Sequence, residues 1–204
     1  MTLPAAVRVF FAIEIPEFIR EKLTQYQSSL KKAAKTHGIR WTKPNNLHIT
    51  LQFLSDVRSQ DLNRLIECVQ KKLHQNVIYP IIHFGELQYF PSSFKPRVIV
   101  LNITPPHDLS ALSNIVGEGI KDAQYEFENK PYRPHLTLGR IKQPHDIHLQ
   151  MLSAVDIPDF EEIKPTVVTL FRSEPDVDGS LYTIIERLPL LLPISVSTQS
   201  GTLT

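Results

Sequence analysis

The chain switches repeatedly between two hydrophobic periods. Residues 7–15 (VRVFFAIEI) are apolar on both faces and rich in β-formers, which predicts a buried strand ended by Pro16. Ile19, Leu23, Tyr26, Leu30 and Ala33 then recur at a helical period, and Gly38 stands where a helix C-terminus would fall. Over 45–54 the period becomes two. Leu47, Ile49, Leu51 and Phe53 are expected to face inward, with His48, Thr50 and Gln52 on the other face. Ser59 and Asp61 suit a helix start, and Leu62, Leu65, Ile66, Val69 and Leu73 predict a second amphipathic helix.

Stretches 77–84 and 97–103 read as strands, with a loop over 90–96 between them. A third helix, capped by Asp108 or Ser110, carries Leu109, Leu112, Ile115, Val116 and Ile120. Further on, Leu136 and Leu138 face one way while His135, Thr137 and Gly139 face the other. Residues 167–172 and 181–186 predict two strands joined by a turn-rich segment over 174–179. The tail over 195–204 is polar, rich in Ser and Thr, and expected to be disordered.

This order predicts an α+β fold with largely antiparallel sheets. The halves 1–90 and 91–190 each carry one helix-flanked histidine strand, which suggests an internal duplication. Residues 1–194 are expected to form one domain.

Composition changes this picture little. An apolar share of 42% over 204 residues supports a substantial core, and a net charge of +1 points to no partner by global field. A single cysteine, Cys68, excludes an intramolecular disulfide framework and fits a reducing compartment. The N-terminus lacks a signal-peptide apolar core, and the run Leu190-Leu191-Leu192 is far short of the ~20 residues of a membrane span. A soluble, cytoplasmic monomer without membrane association is expected.

The candidate chemistry lies in two matching stretches, Leu47-His48-Ile49-Thr50-Leu51 and Pro134-His135-Leu136-Thr137-Leu138. Each places His and Thr on one strand face, ~7 Å apart, so both can touch one small anion. A lone histidine on a half-exposed strand is ordinarily a surface residue; a matched pair in matched context is harder to dismiss. His-x-Thr is not a metal-ligand spacing. His145, Asp146 and His148 are richer in ligands, but they follow Pro144 in an apparent loop.

Local charge adds to the case. Residues 22–55 contain Lys22, Lys31, Lys32, Lys35, Arg40 and Lys43 with no acid, and 129–145 contain Lys130, Arg133, Arg140 and Lys142, again with no acid. An anionic substrate suits such flanks. Phe10, Phe11, Trp41, Phe53, Tyr89, Phe90, Phe94, Tyr132 and Tyr182 lie near the motif strands or their loops. Most should be core, and Trp41, Tyr89, Phe90 and Tyr132 are candidates to stack a base.

At 8–13 (RVFFAI), 46–54 (NLHITLQFL) and 133–140 (RPHLTLGR) the sequence resembles the 2H phosphoesterases, in particular the bacterial RNA 2′,3′-cyclic phosphodiesterases also called LigT-like 2′-5′ RNA ligases. Residues 97–100 (RVIV), 170–173 (LFRS) and Tyr182 follow in family order, so the resemblance covers roughly 7–188. Ser55 and Val100 depart from it, where Gly and Trp are common.

The resemblance implies a bilobal fold with two antiparallel sheets related by a pseudo-two-fold, outer helices and a central cleft. It implies no required metal or other cofactor, and RNA 3′ ends or nucleotides bearing 2′,3′-cyclic phosphate as substrates, hydrolysed to 2′-phosphates. By this analogy His135 is the proton acceptor and His48 the proton donor; the residues alone do not assign the two roles. Thr50 and Thr137 would donate to the non-bridging oxygens. Arg140, Phe11, Tyr132 and Tyr182 are the candidate substrate-binding residues. Strict alternation puts Arg140 on the face opposite His135, unless a bulge near Gly139 turns it back. Two alternatives stay open: a nucleotide or RNA-end binding module with little turnover, and 2′-5′ RNA ligation by the reverse reaction.

Overall fold

The computed structural model describes residues 4–127, 131–143, 148–177 and 179–191. The expected tail over 195–204 and most of the 145–148 cluster lie outside these. Among the described residues, eight strands and four helices follow in the order β1 (Ala6–Glu14), α1 (Glu17–Ala34), β2 (Ile39–Trp41), β3 (His48–Arg58), α2 (Leu62–Gln75), β4 (His83–Phe90), β5 (Val98–Thr104), α3 (Pro106–Asp122), β6 (His135–Ile141), α4 (Leu149–Ser153), β7 (Val167–Asp176) and β8 (Gly179–Pro189). The α+β architecture with two antiparallel sheets is as expected. One sheet has the order β3-β1-β7-β8, the other β2-β6-β5-β4.

The helices form where the period predicts them. On α2, Leu62, Leu65, Val69 and Leu73 are all buried, each burial stabilising by roughly 1.5–3 kcal/mol. α1 ends earlier than Gly38 suggests, because Lys35 takes the left-handed position at φ 48°. The strand expected over 77–84 is displaced to His83–Phe90. Pro80 precedes it, and a proline has no N–H to give a ladder; Ile82 makes only an isolated bridge to Ile163.

Helices and sheets cross over. α1 follows β1 of the first sheet, yet its buried Gln27 hydrogen-bonds to Leu138 of β6 in the second. α3 follows β5 of the second sheet, yet its buried Ser113 bonds to Leu51 of β3 in the first. The apolar core accordingly runs as one cluster through both sheets. No helix among the described residues is long and apolar enough to cross a membrane.

Candidate active site

The two His-x-Thr strands share a feature that alternation alone does not predict. Along the β1–β3 ladder, His48 pairs with Glu14, Thr50 with Ala12, Gln52 with Phe11 and Phe53 with Phe10. Leu51 is therefore an extra residue, a β-bulge. Along the β5–β6 ladder, His135 pairs with Asn102, Thr137 with Val100, Gly139 with Ile99 and Arg140 with Val98. Leu138 is the extra residue there. Each bulge falls directly after the threonine and reverses the parity of the residues that follow it.

Two consequences follow. Gln52, expected on the cleft face, is buried at 8% exposure, and Phe53, expected inward, is 48% exposed. Arg140 returns to the face of His135 and Thr137, which removes the objection that alternation raised against it.

A bulge frees backbone groups that must find partners when buried. At Leu51 the carbonyl accepts from Ser113 Oγ at 2.9 Å, and Gln52 Nε2 donates to Ser113 O and Oγ at 3.1 and 3.0 Å. At Leu138 the carbonyl accepts from Gln27 Nε2 at 2.8 Å and from the Thr42 amide at 2.9 Å. The same Gln27 amide donates to Thr42 O at 3.1 Å. Gln27 and Ser113 thus brace equivalent points in the two halves.

The imidazoles are held alike. His48 Nδ1–H donates to Asn46 O at 2.7 Å, and His135 Nδ1–H donates to Arg133 O at 2.7 Å, each two residues back. A carbonyl only accepts, so both neutral rings carry their proton on Nδ1 and keep Nε2 as the chemically available nitrogen. His48 Nε2 accepts from Thr50 Oγ1 at 3.0 Å. Around His48 stand Phe10 at 4.7 Å, Phe171 at 6.3 Å and Tyr182 edge-on at 5.3 Å between ring centroids. Phe90 meets His135 edge-on at 4.9 Å, and the Arg133 guanidinium lies 4.3 Å from the Phe90 centroid.

Burial and positive neighbours disfavour charging either ring. His48 is lowered to about 4, chiefly by burial, against the pull of the Asn46 carbonyl and with help from His135 and Arg140. His135 is lowered for the same main reason, with Arg133 and Arg140 adding to it and the Arg133 carbonyl opposing. Glu14, the ladder partner of His48, does not counter this field: Arg187 holds it at 2.8 and 3.0 Å, and Thr169 Oγ1 donates to it at 2.6 Å.

One cavity of about 420 Å³ is lined by Thr50, Phe53, Phe90, Phe127, Tyr132 and His135, so the structure brings residues of both motifs to one space. Thr137 shares the face of His135. Tyr132 borders this cavity with its ring, but its hydroxyl donates to Thr50 O at 2.8 Å and ties the approach to β6 onto β3. Burial pushes that phenol up, so it stays neutral. Tyr182 stands beside His48 as described. Phe11 is a correction. It is fully buried in the core, whereas Phe10 turns its ring to His48. A strand apolar on both faces gives no parity signal, so its sequence does not distinguish the two neighbours. Sequence reasoning also missed Phe171, Gln27 and Ser113, whose relevance depends on partners far along the chain.

Comparison with known proteins accords with this geometry. The family described as LigT like phosphoesterase matches residues 13–100, which include the first motif. A protein of Archaeoglobus fulgidus named RNA 2′,3′-cyclic phosphodiesterase is 28% identical over 86% of this chain and 96% of its own length. Over residues 13–100 the chain is similar to the LigT-like phosphoesterases, and over most of its length to proteins named RNA 2′,3′-cyclic phosphodiesterase. The crystal structure of TT0787 from Thermus thermophilus shares its fold, with a TM-score of 0.71 at 24% identity over 90% of this chain and 97% of that one. Escherichia coli LigT in complex with ATP superposes at a TM-score of 0.65 with 25% identity, over 92% of this chain and 99% of that one. The second His-x-Thr stretch lies beyond the matched segment, and its reading rests on the twin bulges and twin histidine anchors above.

Proposed function

We propose that this protein hydrolyses the 2′,3′-cyclic phosphate ends of RNA, or of nucleotides, to 2′-phosphates by general acid–base catalysis without a metal. The observation that carries the reading is the pair of equivalent bulged strands, each presenting a histidine with Nδ1–H fixed on a backbone carbonyl and a threonine on the same face. In-line opening of a cyclic phosphate needs a base on one side of phosphorus and an acid on the other, and two such strands supply them. The names of relatives such as the Archaeoglobus protein, and the ATP bound by Escherichia coli LigT, support this substrate class.

In this scheme His135 Nε2 takes a proton from water as the water oxygen bonds to phosphorus. The bond from phosphorus to O3′ breaks, and His48 Nε2–H delivers its proton to O3′. The products are a 2′-phosphomonoester and a free 3′-hydroxyl. Thr50 and Thr137 donate to the non-bridging oxygens, and Arg140 neutralises charge there. The donor set suits an anion better than a cation: a metal ion between the motifs would meet the Arg140 guanidinium and no carboxylate that is not already paired among the residues described above. A cytoplasmic setting suits the single free cysteine, Cys68.

The test is an assay on RNA oligomers ending in 2′,3′-cyclic phosphate, with EDTA present. Turnover to the 2′-phosphate, lost by at least about a hundredfold in His48→Ala and in His135→Ala with folding intact, is expected. Production of the 3′-phosphate isomer, or recovery only on adding zinc, would overturn the scheme.

A further inference from the structure

Arg140 has a role in the chemistry above, but its neighbour Arg40 has none. The two residues stand directly opposite each other on β2 and β6. Like charges in that relation destabilise an antiparallel pair. Neither guanidinium has an acidic partner among the described residues, although most other surface arginines here do, Arg58, Arg172 and Arg187 among them. Two arginines paired across the ladder and lining one pocket, with no acidic partner among the described residues, carry a cost that an incoming anion would relieve.

The arginines border a pocket of about 60 Å³, closed by Trp41, Asn46, Tyr182 and the β8 start at Gly179 and Ser180. That is roughly the space of two waters at ~30 Å³ each, the scale of one tetrahedral oxyanion. Gly179 has φ +144°, a backbone state that side chains rarely adopt, and its missing Cβ would sit 3.9 Å from Arg40 Cζ. The start of β8 at Gly179 therefore comes close over the guanidinium. Asn46 Nδ2 donates to Ser180 O at 2.7 Å and fixes the start of β8, while Asn46 O holds His48. Lys43 also lines the pocket, engaged with Asp176 at 2.9 Å.

This pocket adjoins the reacting histidine. Tyr182 touches the His48 ring, and Arg140 acts electrostatically on both histidines. The larger aromatic cavity lies on the His135 side. We propose that the Arg40–Arg140 pocket is a second phosphate subsite, which holds the phosphodiester on the 5′ side of the terminal nucleoside and so selects RNA ends over nucleoside 2′,3′-cyclic phosphates. Resting on the cyclic phosphodiesterase reading, it assigns that site a minimum substrate: one ribose flanked by two phosphates.

Two measurements separate this inference from the reading beneath it. The first compares kcat/KM for a trinucleotide ending in 2′,3′-cyclic phosphate with that for adenosine 2′,3′-cyclic phosphate. The ratio should fall about ten- to a hundredfold in Arg40→Gln, as expected for loss of a charge-assisted phosphate contact, and recover in part in Arg40→Lys. The salt slope of log kcat/KM for the trinucleotide should become shallower by about 0.7.

The second measurement is calorimetric binding of adenosine 3′,5′-bisphosphate against adenosine 3′-monophosphate, which needs no turnover. Wild type should favour the bisphosphate, and Arg40→Gln should lose that preference while melting no lower than wild type, because a like-charge contact is removed. A substrate ratio and a binding preference both unchanged in Arg40→Gln would overturn the subsite. An Arg40-dependent binding preference in a protein that hydrolyses neither substrate would uphold the subsite and sink the hydrolase reading.

Discussion

The depressed basicity of His48 makes a demanding prediction about pH. In the free protein this ring protonates at about 4, so at pH 7 roughly one molecule in a thousand carries the proton that an acid must deliver. A bound cyclic phosphate changes this. A single negative charge ~4 Å from Nε2, at an effective dielectric of ~20, favours the imidazolium by about 4 kcal/mol, or about three pK units. The ring would then titrate near ~7 in the complex. Accordingly kcat/KM, which reports the free enzyme, should already fall about tenfold per pH unit through the neutral range, while kcat should hold to near ~7 before falling. Binding of the product 2′-phosphate should take up a proton and weaken as pH rises. The assay is a pair of pH–rate profiles from pH 4 to 9, with NMR titration of the His48 ring with and without inorganic phosphate. A free-protein His48 that titrates at 6.5, or a kcat/KM that stays level to pH 8, would refute the reasoning.

The same shift has a stability consequence of definite sign. Between about 4 and ~6.5 the unfolded chain binds the His48 proton and the folded chain does not, so stability from this group is complete above ~6.5 and declines as pH falls toward 4. The loss is at most about 3 kcal/mol, an upper bound because the ring borders an open cleft. His48→Asn should lose less stability than wild type between pH 7 and 4.5.

Other perturbations test the framework. Gln27→Met keeps volume but removes both donors at the second bulge, and Ser113→Ala removes the donor to Leu51 at the first. Each should cost about 1–3 kcal/mol in urea denaturation and lower kcat well below the melting temperature, since small misplacements at a site can cost on the order of a hundredfold. Stability lost with kcat intact would show that these side chains do not set the bulges. Gly119→Ala should destabilise by about 1–3 kcal/mol, seen as a lower urea midpoint at constant m. Its Cβ would lie 2.6 Å from Val69 Cα, and the ~1 kcal/mol gain in helix propensity cannot offset forcing α3 off α2.

Much of the candidate site was legible because its signals are local. His48 with Thr50, and His135 with Thr137, sit two apart, and a period of two places each pair on one face whatever the partner strand. The acid-free flanks are equally local, and so are the apolar stripes of α1, α2 and α3.

What only the tertiary structure decided involves pairing. Leu51 and Leu138 look like ordinary members of an alternation; only the ladders with β1 and β5 show each to be an extra residue, and with that Phe53, Gln52 and Arg140 change faces. The choice between Phe10 and Phe11 waited on which side of β1 the helices cover. Tyr182 and Phe171 reach His48 from more than a hundred residues away, and Arg40 meets Arg140 across a three-residue strand that no periodicity could register. The depressed pKa of His48 follows from the same enclosure, because burial belongs to the packed chain. A sequence pattern states which side chains share a face, and only the assembled sheets determine what that face meets.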